Sequence, residues 1–150
     1  MIKINKNLLE PSKFLYLGSK DGCLLKWDIE GERLTNDFGK MFDSQGIFSM
    51  VRTADSQYLY MGQGIPYSNG GGELKQFDIK EGRVYTDFGQ IHSKSIDSIV
   101  VTNDNEYVFT GSQDYTMKQL SILQEEVIKD YGKIHNNGIC SIAKTNDDKY

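Results

Sequence analysis

Cysteine, proline, histidine and tryptophan are almost missing from this chain: two, two, two and one among 150 residues. Cys23 and Cys140 stand far apart and neither belongs to a pair at metal-ligand spacing, so the sequence does not support a disulfide or zinc framework and both are expected as buried thiols. Long hydrophobic runs are missing too. The longest is four residues or so, such as Phe14 to Leu17, far below the roughly 18 needed to span a bilayer. The first residues carry no continuous apolar stretch followed by a small-residue cleavage site, so no secretory signal is expected. Basic clusters are lacking as well. Lys and Arg number 17 against 21 Asp and Glu, a net charge of −4, and nucleic acid is not an expected partner because phosphate binding needs concentrated cations. These absences leave an intracellular, cytoplasmic globular protein of ordinary composition, long enough for one domain.

What is present is repetition. Asp37-Phe38-Gly39 returns as Asp87-Phe88-Gly89 and as Asp130-Tyr131-Gly132, at steps of 50 and 43 residues. Trp27, Phe77 and Leu120, each closing a similar short run, are separated by the same 50 and 43. Ile47, Ile96 and Ile139 each open an Ile-x-Ser segment, and the turns Thr53-Ala54-Asp55, Thr102-Asn103-Asp104 and Thr145-Asn146-Asp147 follow. Aromatic residues Phe14, Tyr58, Tyr107 and Tyr150 then open the next run. A fixed period of this length marks an array of one supersecondary unit.

The unit is about 43 or 44 residues, and the longer second copy carries six extra residues between Gly62 and Phe77. Within each unit the apolar residues form short β-favouring runs broken by Asp, Asn, Ser and Gly, with no sustained helical period. Four strands per unit are predicted; in the third unit they fall near Ser95 to Val101, Glu106 to Gly111, Tyr115 to Ser121 and Glu125 to Tyr131. Lys20-Asp21-Gly22 predicts a tight hairpin turn. The expected fold class is all-β, built from four-stranded antiparallel sheets.

Period, strand number and the Trp27-Asp28 dipeptide make the chain resemble the WD-repeat β-propeller family over nearly its whole length. The resemblance implies a propeller segment of about three and a half blades, at 1–44, 45–90, 91–133 and the start of another at 134–150. A ring needs at least four blades, so closure is expected to come from the rest of a longer protein or from another chain. The resemblance also implies a structural hydrogen-bond network, with His92, Thr110 and Asp114 at the family's histidine, hydroxyl and turn-aspartate positions. Trp27 and Asp21 take the corresponding places in the first unit. Leu120 and Phe77 replace tryptophan in the other units, and Leu17 replaces the hydroxyl of the first.

Candidate chemistry is sparse. Asp-Phe-Gly is a kinase signature, but here it recurs with the repeat and lacks the lysine strand, catalytic loop and phosphate loop. It reads as a strand end, with an aromatic residue between blades and a glycine turning the chain onward. His92 and His135 are one repeat apart, hence in different blades and not a shared metal site. The Gly64 to Gly72 stretch lacks a P-loop lysine and leads into a strand. It is read as a surface loop whose Ile65, Pro66 and Tyr67 offer contact area of the kind enriched at hot spots. Lys20 and Gln113 from equivalent loops, and Met41 and Phe42 from the loop entering the second blade, complete the expected partner contacts. No catalytic group, cofactor or metal is expected. The family resemblance implies a non-enzymatic scaffold binding proteins or peptides. The alternatives are a propeller belonging to an enzyme and an architectural subunit of a coat, cytoskeletal or ciliary assembly.

Overall fold

A computed structural model describes residues 13–43, 45–64 and 70–145. Among them every regular element is a strand, and the strands form three antiparallel sheets. The first sheet joins β1 (Phe14–Gly18), β2 (Cys23–Asp28) and β3 (Arg33–Lys40). The second joins β4 (Gly46–Arg52), β5 (Tyr58–Gly64), β6 (Gly72–Asp78) and β7 (Arg83–His92). The third joins β8 (Ile96–Val101), β9 (Tyr107–Ser112), β10 (Thr116–Ser121) and β11 (Glu126–Lys133). Strands pair in chain order within each sheet, so each sheet is a meander of consecutive hairpins. Trp27, Phe77 and Leu120 take equivalent places, opposite Leu15, Leu59 and Val108.

Side chains alternate across a strand, so the middle sheet has two faces to bury. One face, with Leu59, Met61 and Phe77, meets Leu24, Met41 and Phe42 from the first sheet and its exit. The other, with Tyr60 and Leu74, meets Ile96, Ile99, Val101 and Val108 of the third. The sheets therefore stack as blades with two apolar seams between them. Phe38 stands edge-on to Phe77 across the first seam, with ring centres 4.9 Å apart and planes at 72°, a favourable aromatic geometry. Across the second, the Ser49 hydroxyl donates to the Ile96 carbonyl at 2.7 Å.

Small residues set the spacing of the seams. Gly18, Gly62 and Gly111 occupy equivalent strand positions, and a methyl group on each would come within 2.6, 2.8 and 2.5 Å of Ile47, Ile96 and Ile139 respectively. Ile47 and Ile96, at the start of β4 and β8, and Ile139, beyond β11, thus each pack directly on the preceding sheet's backbone.

Each Asp-aromatic-Gly triplet lies inside an outer strand and forms a bulge there. Asp37, Asp87 and Asp130 accept the amide of the glycine two residues on at 2.8, 2.9 and 2.8 Å, and those glycines have φ of 73°, 63° and 65°. Pairing with the neighbouring strand slips at this point in all three sheets. A glycine in the left-handed region accommodates the extra residue. In the first and third sheets the strand ends one residue beyond the glycine, at Lys40 and Lys133, while in the second it continues to His92.

Candidate functional site

Turns at one end of the sheets form the rim that carries most of the candidate residues. In the first sheet the chain reverses over residues 19–22, closed by the Gly22 amide on the Ser19 carbonyl at 3.1 Å, and Gly22 has φ of 87°. Asp21 accepts the Ser19 hydroxyl and the Cys23 thiol. The Ser19 hydrogen bond is the main cause holding the Asp21 carboxyl below its usual pKa. The third sheet repeats this turn with Ser112, Gln113, Asp114 and Tyr115, closed by the Tyr115 amide on Ser112 at 3.1 Å. There Tyr115, with φ of 76°, stands in the left-handed conformation that Gly22 adopts in the first.

Beneath the second turn runs a chain of polar side chains. His92, at the end of β7, has Nδ1 3.1 Å from Asp114 Oδ2 and 3.0 Å from Thr116 Oγ1, and Nε2 2.8 Å from Thr110 Oγ1. Asp114 also accepts the Ser93 amide at 2.9 Å, the Thr116 amide at 3.0 Å and the Thr116 hydroxyl at 2.6 Å. With the carboxylate accepting, Nδ1 is the donor of that contact, and the Thr110 hydroxyl partners the other ring nitrogen. Burial alone would raise the Asp114 pKa, but hydrogen bonds from His92 and Thr116 outweigh it and hold the carboxyl well below its usual range.

An Asp-His-Thr order has the connectivity of a nucleophile triad. Its hydroxyl end is sealed, because Thr110 is 0% and His92 2% exposed. What the arrangement does in this conformation is tie the exit of the second sheet to two strands and a turn of the third.

The first sheet builds no such chain. Trp27 lies on β2 opposite Leu15 and Leu34, both half-exposed, and its indole takes part in no hydrogen bond among the described residues. Its expected place in the network is corrected. The equivalent of Thr110 is Leu17, which offers no hydroxyl.

Met41 and Phe42 are corrected as well. They are 9% and 1% exposed and pack in the first seam, with the Lys75 ammonium 5.1 Å from the Phe42 ring centre. The entry loop points its apolar residues inward because the seam needs them. Lys20 is exposed. Gln113 is half-buried and engaged with Asp97 and, at 3.9 Å, with Cys140 Sγ. Ile65, Pro66 and Tyr67 lie outside the described residues. The thiols are not core: Cys23 is half-buried and Cys140 exposed. His135 is exposed, and among the described residues no cluster of three potential metal ligands occurs.

Sequence reasoning missed Tyr115 as a surface feature. Lys94 and Lys133 each place an ammonium 5.4 Å from its ring centre, within cation-π range. The signal was available in the turn alignment, where a tyrosine replaces the glycine of the first sheet.

No family model and no curated protein matches the chain. Solved structures do. The structure of U3-55K aligns with a TM-score of 0.70 at 14% identity, over 85% of this chain and 38% of that one. The crystal structure of RRP9 WD40 repeats aligns with a TM-score of 0.72 at 14% identity, over 85% of this chain and 37% of that one. The chain has the fold of a WD40-type β-propeller. It spans somewhat more than a third of the length of these structures, and the three sheets of the described residues do not close a ring. No helix among the described residues is long and apolar enough to cross a membrane.

Proposed function

We propose that the chain supplies blades of a WD40-type propeller that acts inside the cell as a protein-interaction scaffold, without chemistry of its own. Tyr115 carries this reading. An aromatic residue in the left-handed region is strained, and a glycine serves the same turn in the first sheet; backbone strain of this kind clusters at functional positions. The ring that costs this strain lies between two ammonium groups on a turn tip, and tyrosine is a preferred anchor at protein interfaces. Lys20, on the equivalent turn of the first blade, belongs to the same contact face. Ile65, Pro66 and Tyr67 of the inserted loop join it on sequence grounds.

Two further observations agree. The histidine-centred chain is buried and spent on joining blades, so His92, Thr110 and Asp114 act as structural residues. Leu15, Leu17 and Leu34 are 49%, 43% and 49% exposed on the first sheet, a face suited to another blade from a longer chain or a second molecule.

The test compares partners of the wild-type protein with those of Tyr115→Gly by affinity purification and quantitative mass spectrometry, with melting temperature as control. Loss of partners at unchanged melting temperature supports the reading. Retention of every partner by Tyr115→Gly and by Lys20→Ala removes it.

A further inference from the structure

At the end of the sheets opposite Tyr115, the first seam opens into a cleft of about 730 Å³ whose lining includes Lys13, Phe14, Tyr16, Lys26, Arg52 and Ile79. The repeat makes its composition informative. Tyr16 pairs across strands with Lys26 as Tyr60 pairs with Gln76, and Arg52 opposes Leu59 as Val101 opposes Val108. In the second seam Tyr60, Gln76 and Val101 are all buried, at 0%, 2% and 4% exposure. The same three places in the first seam therefore hold Tyr16, Lys26 and Arg52, an amide and a valine having given way to two cations.

Among the described residues no acidic side chain neutralises them: no carboxylate lines the cleft, and the lysine and arginine ion pairs are Lys75 with Asp87 and Lys118 with Asp130. Lys26 Nζ rests 4.0 Å above the Phe14 ring centre and 5.9 Å from that of Tyr16. Arg52 donates to the Ser56 hydroxyl alone. Lys13 and Arg52 are exposed and Lys26 half-buried, so the cleft presents a positive potential beside apolar surface, which favours an anionic ligand.

We propose that this cleft is a seat for a phosphorylated side chain of a partner peptide, with an adjoining apolar residue of that peptide against Phe14, Tyr16 and Ile79. A phosphomonoester carries about −1.5 to −2 charge and three acceptor oxygens, which suits an arginine fork with two ammonium groups; one carboxylate would leave the three cations mostly uncompensated. The protein's net charge of −4 disfavours a nucleic-acid backbone, which is held by extended basic surfaces. The cleft is on the opposite rim from Tyr115, so the two surfaces are tested separately.

The experiment uses three labelled peptides of one sequence, with phosphoserine, glutamate or serine flanked by phenylalanine, titrated onto the full chain by fluorescence anisotropy. The phosphoserine peptide should bind about tenfold or more tightly than the other two, because charge-assisted hydrogen bonds to the phosphate are lost in both. Lys26→Gln/Arg52→Val, which installs the residues of the second seam, should abolish that preference, while Tyr115→Gly should leave it unchanged. If the double variant does not fold, Lys13→Gln/Arg52→Gln replaces it with the same expectation. Equal binding of the three peptides, full binding by the double variant, or tighter binding of a uridine oligonucleotide at the same residues would each overturn the proposal.

Discussion

Replacing Gly62 with alanine tests the blade spacing with one methyl group. The added carbon would lie 2.5 Å from Ser49 Oγ and 2.8 Å from Cβ and Cγ2 of Ile96. Ile96 is fully buried in the second seam and has little room to retreat, and shifting Ser49 breaks its 2.7 Å bond to the Ile96 carbonyl. Overpacking costs about 1–3 kcal/mol and the lost bond about 1 kcal/mol. Reduced freedom of the unfolded chain returns roughly 0.4–1 kcal/mol. The net loss is about 2 kcal/mol, which lowers the melting temperature by roughly 4–8 °C for a chain of this size. Thermal unfolding followed by circular dichroism reads it directly. Because Ser49 supplies the nearest atom, Gly62→Ala should cost less in a Ser49→Ala background than in the wild type. A Gly62→Ala protein at least as stable as the wild type, or strict additivity with Ser49→Ala, would refute the close approach of the second and third sheets.

Other perturbations separate structural from surface roles. Tyr115→Gly relieves left-handed strain of about 1–2 kcal/mol but adds chain entropy and loses two cation-π contacts, so denaturant titration should find stability within about 1 kcal/mol of wild type. Asp114 has a depressed pKa in the folded state, so its stabilisation is present above the ordinary carboxylate value near pH 4 and is lost as pH falls through the folded value. Asp114→Asn should lower stability at neutral pH and flatten the acid limb of the stability profile, and an acid limb unchanged in slope would count against the network. Thr53→Val removes the hydroxyl that accepts the Tyr58 amide at 3.0 Å and donates to Asp55 at 2.6 Å. Leaving that amide unpaired should cost about 1–3 kcal/mol in chemical denaturation.

Repetition made the fold legible because the same physical demands recur at equivalent positions. A glycine is needed wherever an isoleucine packs on the preceding sheet, and an Asp-x-Gly wherever the outer strand bulges. Thr-x-Asp recurs for a similar reason: Thr53 and Thr102 each hold the turn through their hydroxyls, with Asp55 and Asp104 accepting at 2.6 and 2.5 Å. The bulge was not legible, since a short motif suggests a positive φ but not whether pairing resumes beyond it. Burial of Met41 and Phe42 was missed because a connecting segment carries no periodicity, and only the stacked seam shows which way its side chains turn. Trp27 was assigned by its dipeptide, although a tryptophan joins a polar chain only where partners are supplied and Leu17 supplies none. The shared cleft of Lys26 and Arg52 arises from two sheets meeting, so neither residue announced it alone. It emerges on comparing the first seam with the second.

Sheets packed face to face as successive blades underlie every role assigned to these residues, and nuclear Overhauser contacts across the seams measure that packing most directly. Gly62 α-protons should show contacts to the Ile96 methyl groups, and Phe38 ring protons to those of Phe77. Observing the strand pairing within each sheet but neither of these cross-seam contacts would contradict it.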